Sequence, residues 1–326
     1  MTPTSPEAPV SAPARTGAVA EPRAFGILVA GGLSAALFVS SLFVPIAFVL
    51  AMVSPLPLMV LRLRAGLTFS LLAAALGVAV VAGIFDPSPA GFFFCLFVAP
   101  GLLIAEAMAR GRGLLRGCAW AFALLSVQIG LALVFAGGPL AARVIEPLDQ
   151  LRSPEFTDDL KARLPAEQIA EWTAQVTQFR DVMAIVYPAV YIIMGALIVL
   201  ANAALLRAYL QRRDPGWLEG DEFEGIRWPS VLSMVFVLAG AAVALPAARA
   251  AAYNVLLVLA FFFALQGLAV AAFYAHRLAG PPFLRAAVVV LVLVNPWAPQ
   301  ILALLGLFDI FINFRKWALP PEAREG

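Results

Sequence analysis

The composition of this 326-residue chain excludes a water-soluble globular protein, because so few charged residues cannot cover so much apolar surface. Hydrophobic residues make up 62% of the chain and charged residues 13%, which is about half the charged share of an average soluble domain. The net charge of +2 gives no large positive field, so no nucleic-acid partner is expected. We therefore predict a membrane protein whose main partner is the lipid bilayer.

The first 24 residues differ from the rest of the chain. They carry five prolines among alanine, serine and threonine, a composition that buries too little apolar surface to fold. They lack the pattern of a signal peptide, because the apolar stretch starts only after Arg23 and leads directly into further apolar stretches. We interpret residues 1–24 as a disordered Pro/Ala-rich tail on the cytoplasmic side.

Apolar stretches of membrane-spanning length recur through the remaining chain. A helix needs about 20 mostly apolar residues to cross roughly 30 Å of hydrocarbon. The predicted spans are residues 25–43, 44–61, 67–85, 91–109, 114–136, 181–206, 229–247, 252–276 and 284–308. The sequence thus predicts an all-α fold, a polytopic transmembrane helical bundle of eight or nine spans over residues 25–317, followed by a polar tail at residues 318–326.

The second span contains two prolines, Pro55 and Pro57, which predict an irregular cytoplasmic half for this helix. Irregular backbone in a membrane must be shielded by protein or must line a wet cavity. The two interpretations are a simple proline kink and a functional break in the helix.

Arginine and lysine in short loops favour the cytoplasmic side of a membrane. The loops after spans 2, 4, 6 and 8 carry such residues: Arg62, Arg64, Arg110, Arg112, Arg116, Arg207, Arg212, Arg213, Arg227, Arg277 and Arg285. This alternation predicts a multi-pass protein of the bacterial inner membrane with a cytoplasmic N-terminus.

The C-terminus disagrees with this alternation, because a ninth crossing places Arg315 and Lys316 outside. Residues 286–314 form either one kinked span followed by an interfacial helix, or a re-entrant hairpin that returns to the cytoplasm. The first alternative fits the span length better and is the one expected here, whereas the second fits the charges.

Two polar segments interrupt the spans. Residues 137–180 are predicted to form an external loop of amphipathic helices, either a connector that lies at the interface or caps the bundle, or a lid over an external cavity. Residues 207–228 are predicted to form a cytoplasmic loop.

Polar residues inside spans mark candidate functional positions, because they are costly in a membrane. Asn202, Asn254 and Gln266 are the candidate substrate-binding residues. The alternative for each is an interhelical hydrogen bond that holds the bundle together.

Other polar positions have either structural or functional interpretations. Glu106 is expected to pair with Arg110, four residues further along the same helix. Asn295 is expected to satisfy backbone groups freed by Pro296. Asp309 with Arg315 is expected to form an interfacial helix end, and the alternative is a carboxylate that carries a coupling proton.

No enzyme, cofactor or metal signature is recognisable. His276 is the single histidine and has no ligand set around it, and the sequence contains no phosphate-binding loop, dinucleotide fingerprint or nucleophile elbow. We therefore expect no catalytic residue, metal or cofactor. A Gly-x-x-x-Ala pair at Gly267 and Ala271 predicts close helix packing.

Three stretches resemble one bacterial family, the YybS-like membrane proteins, which are classed as a domain of unknown function. They are residues 54–66, Tyr187-Pro-Ala-Val with Asn202 and Arg207 downstream, and residues 305–316. The family is distantly similar to the vitamin-capturing subunits of energy-coupling-factor importers and to the cell-shape protein MreD. This resemblance implies a helical bundle with a small-molecule cavity.

Two functional hypotheses follow. The first is a solute-binding, transport-related subunit in which amides face a small-molecule ligand. The second is a non-transporting membrane scaffold that holds membrane-protein partners, as the similarity to MreD implies. A void lined by amides would favour the first, and a tightly packed bundle would favour the second.

Overall fold

The computed structural model describes residues 24–43, 48–85, 87–161, 164–218, 223–277, 295 and 297–317. Every regular element in these ranges is a helix, and six helices are long and apolar enough to cross a membrane. The prediction of an all-α polytopic fold is therefore confirmed. The predictions that lie outside the described residues are the tails at 1–23 and 318–326 and the first part of the ninth span, residues 284–294 and 296.

The chain divides into two compact units, residues 1–109 and 110–326. The N-terminal unit contains α1 (Ala24–Phe43), α2 (Phe48–Val53), α3 (Leu56–Ala65), α4 (Leu67–Ile84), α5 (Pro87–Phe93) and α6 (Ala99–Ala109). The C-terminal unit contains α7 (Leu114–Gln150), α8 (Pro154–Lys161), α9 (Ala166–Arg213), α10 (Val231–Ala242), α11 (Arg249–Arg277), α12 (Ala298–Ile312) and α13 (Phe314–Trp317).

In the N-terminal unit, α1 and α4 run in the same direction and cross at glycine. A Cβ atom at Gly31 would overlap the carbonyl oxygen of Ala73, so only glycine allows this approach. Twelve residues further along both helices, the rings of Phe43 and Phe85 lie 6.1 Å apart. Small residues at such crossings let two backbones pack closely in a membrane.

The predicted second span is broken, but over a shorter stretch than expected. Only Ser54 and Pro55 separate α2 from α3, and Pro57 lies in the first turn of a regular helix, where proline is tolerated. The break is buried: Ser54 is 0% exposed, and an ideal Cβ atom at Gly101 of α6 would lie 2.8 Å from the Cβ atom of Pro55. Protein therefore shields this irregular backbone.

A π-helical turn, Phe94–Val98, joins α5 to α6. The backbone N–H of Ala99 donates to the carbonyl of Phe94, five residues earlier. Pro100 follows at once, has no N–H, and its ring clashes with a carbonyl four residues before it in a regular helix. The wider turn accommodates this proline.

The predicted external loop is largely a continuation of two spanning helices. α7 runs on to Gln150 through a kink at Ala136, and α9 begins at Ala166 rather than near residue 181. With 48 residues α9 is about 72 Å long, against roughly 30 Å of hydrocarbon. The amphipathic segments at 140–150 and 166–181 are therefore continuous with α7 and α9.

α7 and α9 form an antiparallel pair. An ideal Cβ atom at Gly195 would lie 3.1 Å from Ile129, the Tyr191 hydroxyl donates to the Leu140 carbonyl at 3.2 Å, and Arg180 contacts Asp149. The contacts thus move backwards along α9 as they move forwards along α7. On α8, the ring of Phe156 stacks on Trp172 of α9, with centroids 5.5 Å apart. We call residues 140–181 the helical hairpin.

α12 packs parallel to α11 in the C-terminal unit. The two helices cross at Gly267 and Gly306, where a Cβ atom on either residue would overlap a carbonyl oxygen of the other helix. The close packing predicted at Gly267 is therefore present. Further along both helices, the Tyr274 hydroxyl donates to the Phe314 carbonyl at 2.6 Å. An antiparallel helix would place these two residues many turns apart.

This direction corrects the expectation for the C-terminus. Arg315 and Lys316 follow α12 and lie at the Arg277 end of α11, not at the opposite end as a ninth crossing requires. Of the two alternatives, the contacts favour a return to the side on which α11 ends. The charges were the better guide, because the length of an apolar run does not give its direction.

α9 also runs parallel to α11, since Asn254 near the start of α11 contacts Ile185, and Phe262 contacts Phe122, which lies level with the later part of α9. α10 is antiparallel to α11, and the Phe236 and Phe263 rings are 5.5 Å apart. One end of the C-terminal unit, here called the basic end, therefore contains the start of α7 and the ends of α9, α11 and α12.

Candidate functional site

A buried polar cluster joins α11 to α12 near the basic end. Gln266 and Asp309 are both 0% exposed, and the Gln266 Nε2 donates to the Asp309 Oδ2 at 2.9 Å. The backbone N–H of Phe314 donates to the Asp309 Oδ1 at 3.0 Å, and the Arg315 Nη2 lies 3.4 Å from the Oδ2. A carboxylate without water needs such partners to stay in the interior.

The sequence around Asn313 builds this cluster. Asn313 has a φ of 50°, a left-handed conformation that asparagine adopts more readily than most residues, and it ends α12. The chain turns there, so the Phe314 N–H and the Arg315 side chain, five and six residues after Asp309, contact its carboxylate. Asp309 is therefore a buried acceptor at the end of α12.

The same cluster holds the segment that precedes α10. Arg315 Nη2 donates to the carbonyl of Ile226 at 2.8 Å. The backbone N–H of Trp228 donates to the Gln266 Oε1 at 2.9 Å, and its indole N–H donates to the Phe262 carbonyl at 2.8 Å. Asp309 thus belongs to a hydrogen-bonded cluster that connects α11, the end of α12 and the segment before α10. Both of its carboxylate oxygens accept hydrogen bonds.

The Asn254 side chain replaces a backbone hydrogen bond that α9 lacks near its internal proline. Its Oδ1 accepts from the backbone N–H of Ala189 at 2.8 Å, and its Nδ2 donates to the carbonyl of Ile185 at 2.8 Å. In a regular helix these two backbone groups would pair with each other. Pro188 removes the neighbouring N–H and disturbs this turn, so the Asn254 amide supplies both partners.

The third candidate amide, Asn202, is buried at 1% exposure on α9. Its Nδ2 donates to the Ile198 carbonyl of its own helix at 2.9 Å. Its Oδ1 accepts no hydrogen bond from the described residues, and the same holds for the Gln128 Oε1 on α7. The Ser126 hydroxyl of α7 is also buried without a hydrogen-bond partner among the described residues.

The three amides do not form one site. Gln266 lies twelve residues after Asn254 on α11, which separates them by about 18 Å along the helix. A groove described on this unit is lined by residues of α9 alone: Ala170, Thr173, Ala174, Thr177, Gln178, Asp181, Val182 and Ile185. No second helix contributes to its lining.

In the N-terminal unit, Glu106 of α6 forms an ion pair with Arg62 of α3. The Arg62 Nε donates to the Glu106 Oε2, and the side chains are 14% and 12% exposed. The sequence predicts a pair with Arg110 on the same helix, whereas the ion pair with Arg62 could not be predicted, because contact between helices is not visible in a sequence. Arg64 lies in the same last turn of α3.

Two other polar positions behave as local structural groups. The Asn295 Oδ1 accepts from the Trp297 N–H at 2.9 Å, and its carbonyl accepts from the Ala298 N–H at 3.0 Å, so it satisfies two backbone N–H groups at the start of α12. On the helical hairpin, hydrogen bonds to Asp181 and Asp149 raise the pKa of Arg180 above its usual value.

Comparison with known proteins gives one family. A family model described as "Predicted membrane protein (DUF2232)" matches residues 32–310. The chain belongs to this family. No curated protein and no solved structure matches the chain. Among the described residues, no three His, Cys, Asp or Glu side chains come together to hold a metal.

Membership of this family of predicted membrane proteins confirms the resemblance read from the sequence. The match extends from α1 to the residue after Asp309, so it spans both units. The similarity to importer subunits and to MreD remains an implication of that resemblance.

Sequence reasoning missed the partners of several candidate residues. Trp228 and Tyr274 were not singled out, and Pro188 was noted only as part of a motif. A proline inside a membrane helix requires a replacement hydrogen-bond partner, so Pro188 was a usable signal for the role of Asn254.

Proposed function

We propose that this protein is a multi-pass scaffold of the bacterial inner membrane that holds partner proteins, without transporting a solute and without enzymatic activity. One observation carries this proposal. Asn254 and Gln266, two of the three amides available to bind a solute, use both ends of their side chains to join helices. Amide groups that already form hydrogen bonds within the helical bundle are not available to bind a substrate.

Helix packing supports the same proposal. The crossings at Gly31 and Gly306 bring backbone against backbone, which leaves no room for a solute between those helices. A transporter needs an element that rearranges around its site. The hydrogen bonds of the Asp309 cluster, in contrast, fix several segments in one arrangement.

The proposed orientation follows from the positions of the basic residues. In the C-terminal unit, the basic end would face the cytoplasm. In the N-terminal unit, Gly66 joins α3 directly to α4, so Arg62 and Arg64 lie where α4 begins. Because α1 runs parallel to α4, the chain would enter the membrane from that same cytoplasmic side.

The helical hairpin is the part best placed to hold a partner outside the membrane. Its exposed apolar side chains include Phe156 and Phe179, at 40% and 53% exposure. These two rings are available for apolar contact with a partner protein.

Isolation from native membranes in lipid particles tests the scaffold role. We expect one or a few proteins to co-purify in a fixed ratio, and Phe156→Ala with Phe179→Ala to remove them. The matched control is Phe311→Ala, since Phe311 is 68% exposed but lies on α12 within the membrane region. Isolation of the wild-type protein alone, repeatedly and without partners, would contradict the scaffold role.

A solute-binding subunit is the second candidate, and Asn202 is the observation that favours it. Its buried Oδ1 accepts no hydrogen bond from the described residues, so an N–H or O–H group of a ligand could donate one to it. This alternative needs a ligand that Asn202→Leu releases while the helical content stays unchanged.

A further inference from the structure

Four arginines at the basic end form a surface that we call the arginine patch: Arg112, Arg116, Arg212 and Arg213. The first two flank the start of α7 and the last two end α9. Contacts between Gly195 and the stretch from Leu125 to Ile129 fix the register of this antiparallel pair. Counting back along α7 and forward along α9 places the four residues within about two helical turns of one another.

The charges of the arginine patch are available to a partner. All four residues are exposed, and no ion pair links any of them to another described residue. Asp214 closes α9, and the segment that follows also carries Glu219, Asp221, Glu222 and Glu224. The patch itself presents four exposed guanidinium groups.

The patch lies at the depth of lipid headgroups. The apolar stretch of α7 begins directly after Arg116, and that of α9 ends shortly before Arg212. Trp120 is 36% exposed on α7, and the Arg112 guanidinium lies 6.0 Å from the centre of its ring. Tryptophan concentrates at the boundary between hydrocarbon and headgroups, so it marks that level here.

We propose that the arginine patch binds the headgroup phosphate of an anionic phospholipid. Guanidinium groups bind phosphate oxygens in a bidentate geometry, and Trp120 offers an apolar face to the glycerol and upper acyl chain. Basic groups between membrane helices on the cytoplasmic side recognise anionic headgroups in this way. A scaffold and a transporter could both carry such a patch.

Delipidated full-length protein, titrated with phosphatidylglycerol and separately with phosphatidylcholine in native mass spectrometry, tests this binding. We expect the wild-type protein to retain phosphatidylglycerol preferentially. Replacing all four arginines by glutamine should weaken that retention by about tenfold or more, since each basic group near an anionic surface contributes separately.

Two controls keep the result interpretable. Arg152→Gln with Arg249→Gln removes charge at the opposite end of the unit and should leave retention unchanged. The four-lysine variant keeps the charges and should bind more tightly than the four-glutamine variant, which guards against misfolding as the cause.

Two results of the lipid titration would overturn the proposal, and a third result comes from competition with inorganic phosphate. One is equal retention of phosphatidylglycerol by the wild-type and four-glutamine proteins. The other is an equal loss in the control at the opposite end. Complete competition by inorganic phosphate at low concentration would assign the patch to free phosphate and would also overturn the lipid proposal.

Discussion

At the scale of single residues, Asp309 is the most constrained polar group in the C-terminal unit. It is fully buried, accepts hydrogen bonds from Gln266 and the Phe314 N–H, and forms an ion pair with Arg315. A buried carboxylate that lacks such partners would lose its charge or destabilise the fold. The role of Asp309 is therefore structural: it holds together the segments that its partners belong to.

Replacing Asp309 by asparagine should destabilise the protein by about 3–5 kcal/mol, because it places an amide donor against the donors of Gln266 and Arg315 and leaves a buried guanidinium uncompensated. Thermal unfolding of the detergent-solubilised protein measures the loss. The swap Gln266→Glu with Asp309→Asn restores one carboxylate to the pair and should recover part of it. Asp149→Asn is the control, with an expected cost of about 0–1 kcal/mol for an exposed pair.

At the scale of helices, two kinds of contact hold the C-terminal unit together. Glycine crossings bring backbones together, and polar side chains repair or tie irregular backbone. The first kind was visible in the sequence at Gly267, but its partner Gly306 was not, because a sequence does not show which helix a small residue faces. For the same reason the sequence located Asn254 and Gln266 but not the groups they bond.

Gly306→Ala should destabilise the unit by about 1–3 kcal/mol, because its Cβ atom overlaps the Phe263 carbonyl and forces α11 and α12 apart. The matched control is Gly240→Ala on α10, where a Cβ atom meets nothing within 4 Å. Thermal unfolding of both variants gives the comparison. Equal midpoints for the two would disprove the close crossing.

The hydrogen bonds of Asn254 to the α9 backbone near Pro188 can be tested in a double-mutant cycle. Asn254→Leu should cost about 1–2 kcal/mol, since it removes interhelical hydrogen bonds that average roughly 0.6 kcal/mol each in membranes. In a Pro188→Ala background the same change should cost much less, because α9 can then pair Ala189 with Ile185 itself. Tyr253→Leu, on the same helix and 39% exposed, serves as a neutral control. An identical cost in both backgrounds would show that Asn254 does not compensate for the backbone hydrogen bond lost near Pro188.

At the scale of the whole molecule, the sequence predicted the all-α membrane fold, most helix positions and the break near Pro55. It did so because apolar run length and proline act locally. It failed where the outcome depends on neighbours: the continuation of α7 and α9 into the helical hairpin, the direction of α12, and the pairing of Glu106 with Arg62. Those features are set by contacts between segments that are far apart in the chain.

The direction of α12 predicts which side of the membrane the C-terminus occupies. In a background with Cys95 and Cys118 replaced by serine, single cysteines at Arg277 and Lys316 should be labelled from the same side, and one at Glu155 from the other. An impermeant thiol reagent on spheroplasts and on inverted vesicles measures this. Labelling of positions 316 and 155 from one side would restore the ninth crossing.

The central claim is that polar groups inside this protein join helices and do not bind a solute. Native mass spectrometry of protein released directly from its own membranes tests this claim most directly. We predict masses that correspond to the chain, to bound lipid and to partner proteins, with no other small molecule. A stoichiometric non-lipid ligand that is lost on Asn202→Leu, with helical content unchanged, would contradict the claim and identify the protein as a solute-binding subunit.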